Sequence, residues 1–69
     1  MSTLKELRLQ AHLTVSELAR LAKVGRGTVE RAESGESVLD VKAYMIVEAL
    51  GKQLNREIKL DDVEGLNIL

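Results

Sequence analysis

The chain has no cysteine, which excludes a disulfide framework, a zinc knuckle, an iron–sulfur site and a thiol nucleophile. Proline, phenylalanine and tryptophan are also absent, and there is a single tyrosine and a single histidine. One histidine cannot build a His-rich metal site. Without proline, five glycines are the main helix punctuation. No apolar run approaches the roughly 20 residues needed to span a bilayer. Lys5, Glu6 and Arg8 stand where a signal peptide would carry its apolar block. A cytoplasmic protein without membrane contact is the expectation, with no cofactor and no metal.

What is present is aliphatic. Of 69 residues, twelve are leucine, seven valine, six alanine and three isoleucine. That suits one small domain with a thin stability margin. The net charge is only −1, but it is unevenly spread. Residues 1–35 carry a surplus of basic groups, from Lys5, Arg8, Arg20, Lys23, Arg26 and Arg31, and residues 36–69 a surplus of acidic ones. Two faces with different roles follow.

Hydrophobic spacing gives four helices. Leu4, Leu7 and Ala11 mark a first one over about residues 2–11. Thr14-Val15-Ser16-Glu17 is a capping box, and Leu13 with Leu18 forms a hydrophobic staple around it. The second helix runs to Ala22, with Leu18, Leu21 and Ala22 facing in. Lys23-Val24-Gly25 breaks the chain, and Gly25 caps a third helix whose inner stripe is Val29 and Ala32 and whose stop is Gly35. Ser37 or Asp40 caps the fourth, which presents Leu39, Ala43, Ile46, Val47 and Leu50 inward and ends at Gly51. Leu54 to Leu60 then alternates apolar and polar residues, the signature of a half-buried strand. Such a strand has no partner in this chain and calls for a second copy. An acidic patch (Asp61, Asp62, Glu64) and exposed Leu66, Ile68 and Leu69 follow it. The division is thus residues 1–52 as one domain and 53–69 as strand, tail and dimerisation element.

Residues 14–35, TVSELARLAKVGRGTVERAESG, resemble without a gap the helix-turn-helix of the Xre/Cro/phage-repressor family. The resemblance extends over about residues 3–51, and Thr14, Glu17, Leu18, Ala19, Val24, Arg26, Thr28, Val29, Arg31, Glu33 and Gly35 fall on the family's pattern. It implies an all-α, compact four-helix, lambda-repressor-like domain, here with a short C-terminal strand and tail. It implies double-stranded DNA as partner and a transcriptional repressor acting as a homodimer on a pseudo-palindromic operator. An autoregulating antitoxin with a toxin or other protein partner is a variant, because antitoxins of the superfamily pair C-terminal strands across their dimers.

Recognition helices enter the major groove with their N-terminal residues at base edges. The positions matching Arg26, Gly27 and Arg31 are those that read bases in the family. Arginine suits the guanine O6/N7 edge, and Thr28 can meet a phosphate or a thymine methyl. Glu30 shares that outer face and is also spaced to pair with Arg26. Lys23 and the N-terminus of helix two, at Val15 and Ser16, complete the expected DNA surface. Arg8 and Glu33 match a family pair that bridges helix one to helix three. Several residues depart from the pattern. Val15 replaces a phosphate-binding glutamine, Lys23 a turn glycine and Gly25 a hydroxyl cap, and Gly27 brings no side chain to a base-reading position. Fewer direct contacts follow, and a dimer would offset them. The alternative is a protein-interaction module of the same fold that has lost DNA binding. No nucleophile, base and orienter can be assembled, so an enzyme is not expected.

Overall fold

Two reciprocal capping boxes start the first two helices of the computed structural model, which describes residues 2–69. Thr14 Oγ1 accepts from the Glu17 amide at 3.1 Å, and the Thr14 amide donates to Glu17 Oε1 at 2.8 Å. Thr3 and Glu6 repeat the arrangement at 3.2 and 2.8 Å, a second box that the sequence reading missed. The order is β1 (Ser2–Thr3), α1 (Leu4–Gln10), α2 (Val15–Ala22), α3 (Arg26–Glu33), β2 (Ser37–Val38) and α4 (Asp40–Leu54). A 3-10 turn (Leu60–Asp62), β3 (Val63–Glu64) and β4 (Asn67–Ile68) complete it. Helix one is thus shorter than its expected span.

All four helices end in the same way. The chain turns left-handed at His12, Lys23, Gly35 and Asn55, with φ of 60°, 61°, 87° and 56°. Each following amide reaches back five residues: Leu13 to Arg8, Val24 to Ala19, Glu36 to Arg31 and Arg56 to Gly51, at 3.0–3.2 Å. These are Schellman closures, which satisfy carbonyls left open at helix ends. Only one of the four turns uses glycine, the residue that pays no Cβ penalty there.

The core is aliphatic, as the composition requires. Leu18, Ile46, Leu50 and Val29 are its largest fully buried side chains. Leu4, Leu7, Ala19, Ala22, Ala32, Ala43 and Val47 surround them. Leu18 of α2 and Val29 of α3 are both fully buried, and Ala19 and Ala22 of α2 are buried in the same cluster. Two apolar residues expected inside lie outside: Leu21 and Leu39 are exposed. Leu39 serves as the N-cap of α4 without a side-chain cap bond. Neither Ser37, which enters β2, nor Asp40, the first helical residue, caps it.

The C-terminal third departs most from expectation. Gly51 does not end α4, which continues to Leu54. Gly51 is instead where the returning chain presses on the helix: a Cβ there would meet the Arg56 carbonyl oxygen at 2.8 Å. The stretch from Leu54 to Leu60 is not a strand. Its alternation comes from Leu54 in the last turn of α4, Ile58 in the connection and Leu60 at the start of the 3-10 turn, all three packed on the core. The strands lie further on and find partners within the chain. β3 pairs in parallel with β1, Ser2 opposite Val63, and β4 pairs in parallel with β2, Ser37 opposite Asn67. The tail therefore ties the N-terminus and the α3–α4 link to the domain. Val63 is buried and Leu66 half-buried against the core, while Ile68 and Leu69 remain exposed.

Candidate nucleic-acid interface

Burial of Val29 and Ala32 fixes the rotation of α3. Its opposite face then carries Arg26, Glu30 and Arg31 into solvent, with Gly27 and Thr28 half-buried beside them. Gly25 opens the helix with no side-chain cap bond; of the first-turn amides of α3, that of Thr28 donates to the Gly25 carbonyl at 3.0 Å, and no side chain caps the others.

The two arginines differ in their surroundings. Arg26 Nε lies 3.6 Å from Glu30 Oε2, an exposed pair one turn apart. Such pairs contribute little to stability, and the carboxylate partly neutralises the charge that Arg26 offers. Among the described residues Arg31 has no acidic partner within ion-pair distance; its Nη2 donates to Thr28 Oγ1 at 3.3 Å. The guanidinium thus lies back along the helix toward the first turn, the direction helical side chains favour.

The residues expected around α3 do not all join it. Ser16 is exposed at the start of α2, but Val15 packs part of its side chain against the core. What Val15 offers a phosphate is its backbone amide, which has no acceptor inside the helix. Lys23 lines a groove with Leu21, Met45, Glu48 and Lys52, between α2 and α4. Lys42, to which the sequence reading gave no role, lines a hollow with Thr28, Arg31, Leu39 and Leu69. It sits beside the outer face of α3 because α4 starts where β2 leaves that helix. Nothing in the local sequence marks it, since its place depends on how α4 packs.

Arg8 and Glu33 hold α3 in position from behind. Arg8 Nε lies 2.6 Å from Glu33 Oε2, and both side chains are only 11% exposed. His12 is exposed at the left-handed turn after α1 and has no hydrogen bond from its side chain among the described residues. Among those residues no group of three or more His, Cys, Asp or Glu side chains could hold a metal ion, and no helix is long and apolar enough to cross a membrane.

Two helices joined by a tight turn, the second braced against the first and open on its outer side, define a helix-turn-helix. A family model described as "Helix-turn-helix domain" matches residues 2–56, well over half of the chain. The chain belongs to that family and is a DNA-binding helix-turn-helix protein. Neither the curated proteins nor the solved structures yielded a match.

Proposed function

We propose that the protein is a sequence-specific transcriptional repressor of the Xre/Cro/phage-repressor type, which binds a pseudo-palindromic operator as a homodimer. It acts by binding and not as an enzyme. The observation that carries this reading is the outer face of α3. Arg31 and Arg26 stand exposed on it, while Val29 and Ala32 anchor the opposite side. A guanidinium at that place presents the fork of donors that suits guanine O6 and N7. Selection from a library of random DNA duplexes tests it. The expected result is a two-fold symmetric motif with a guanine in each half-site. Failure to enrich any motif at low salt would favour the alternative, a protein-interaction module of the same fold.

The homodimer rests on a different surface from the strand first expected. The strands are paired within the chain, so they no longer call for a second copy or support the antitoxin variant. Instead, Leu39, Val41 and Tyr44 at the start of α4, Ile68 in the last strand and Leu69 after it are all exposed, and Leu39 and Leu69 line one hollow beside α3. A second copy covering Leu39 and Leu69 would lie next to the hollow that Thr28 and Arg31 of α3 also line. Sedimentation of the full chain and of Val41→Glu tests it: the parent should be a dimer and the variant a monomer. A parent that stays monomeric at high micromolar concentration contradicts the homodimer.

A further inference from the structure

Gly27 stands second in α3, at a position where a recognition helix usually brings a side chain to the bases. It carries none, and glycine is also a poor helix former. The space beside it is taken up by another side chain. A Cβ built on Gly27 would lie 3.3 Å from Arg31 Nη1. The same guanidinium donates through Nη2 to Thr28 Oγ1 at 3.3 Å. Its two terminal nitrogens are thus seated over residues 27 and 28, one turn nearer the helix N-terminus than the Arg31 backbone. That first turn is the part of a recognition helix that meets base edges.

We infer that Gly27 is a specificity-determining gap: it leaves the room in which Arg31 lies, and Arg31 supplies the base contact that residue 27 lacks. The inference rests on the DNA-reading role of α3 proposed above. Thr28 is the second half of the seat, because its hydroxyl accepts one donor and leaves the other donors of the fork for a guanine. Arg26 cannot substitute on equal terms, since Glu30 lies within ion-pair distance of it. Gly27 and Thr28 are therefore positioning residues that act through Arg31.

Gly27→Ala separates this role from a structural one. The neighbour that must yield is the free end of an exposed side chain, so the fold accepts the methyl group. Alanine favours the helix, and the melting temperature should rise by a few degrees. Recognition should move the opposite way. Wild type and Gly27→Ala are each carried through selection from random duplexes. Their affinities are then measured on the wild-type motif, on its single-base variants and on a scrambled duplex. The variant should lose about tenfold in preference for the guanine of each half-site, with affinity for scrambled DNA within about twofold of wild type. Thr28→Val should lose the same preference to a smaller degree. A Gly27→Ala protein that selects the same motif with the same preference overturns the inference while leaving DNA reading by α3 intact. Equal loss on all sequences, or a lowered melting temperature, also overturns it, because Gly27 would then serve the fold. A wild-type protein that enriches no motif removes the underlying reading together with the inference.

Discussion

Arg8 and Glu33 meet in a two-pronged ion pair, Nε to Oε2 at 2.6 Å and Nη2 to Oε1 at 3.1 Å. The remaining arm of the guanidinium, Nη1, donates to the Leu13 carbonyl at 3.0 Å. One side chain thus joins α1 to the end of α3 and to the α1–α2 link. Bidentate geometry fixes direction as well as distance, so this contact orients the helix whose other face carries Arg26 and Arg31. Glu33→Ala should lower stability by about 2 kcal/mol, since the arginine left behind is largely withdrawn from water. Arg8→Ala should do the same. Urea denaturation of the two single variants and the double variant should show coupling of about 1 kcal/mol or more. Independent effects would contradict this role for the pair.

The left-handed turns at His12 and Lys23 hold residues with a Cβ where glycine is unstrained. Each costs roughly 1 kcal/mol relative to glycine, partly offset by the freedom glycine adds to the unfolded chain. His12→Gly and Lys23→Gly should therefore each raise stability, by about 0.5 kcal/mol. Thermal unfolding checks it, and a lowered midpoint in both would contradict it.

Acid should loosen both capped helix starts. The Glu6 and Glu17 carboxyls titrate below their ordinary value near 4.5, chiefly because each accepts a backbone hydrogen bond from its threonine, Thr3 or Thr14. A carboxyl with a lowered folded-state value adds stability above its unfolded value, and that stability is lost as pH falls through the folded value. Stability should decline as pH drops from about 5 to 3, and Glu17→Gln should make the decline shallower. The midpoint of urea unfolding against pH checks this. An unchanged slope in Glu17→Gln contradicts it.

Val63 is 5% exposed and lies in the strand that pairs with Ser2 and Thr3. Val63→Ala should cost about 1–2 kcal/mol, and hydrogen exchange should quicken at β1 as well as β3. A cost near zero would mean the tail is a loose appendage.

The helix-turn-helix was legible because its signals are local. Thr14 with Glu17, Leu13 with Leu18, Gly25 and Gly35 each act within one or two turns of chain. Val29 and Ala32 then dictate which face of α3 is free. The C-terminal third was misread because its structure depends on distant partners. Leu54, Ile58 and Leu60 alternate like a strand, yet each reaches the core from a different local conformation. Gly51 resembles a helix stop, but it is glycine because the Arg56 carbonyl returns onto it. Strands of two residues leave no period to detect, and their parallel pairing joins residues far apart in sequence. Arg8 and Glu33 were legible only through the family pattern, whereas the Lys42 position depends on packing alone.

The most direct test of DNA reading by α3 is the affinity of wild type, Arg31→Ala and Lys42→Ala on the selected motif, on its single-base variants and on unrelated duplex, at two salt concentrations. Arg31→Ala should lose about 1–3 kcal/mol on the motif and relax preference at one base pair per half-site, with little change on unrelated DNA. Lys42→Ala, beside the helix and suited to phosphate, should weaken all sequences alike and reduce the salt slope by about one unit. If Arg31→Ala weakens every sequence equally, Arg31 grips the backbone and α3 does not read bases through it.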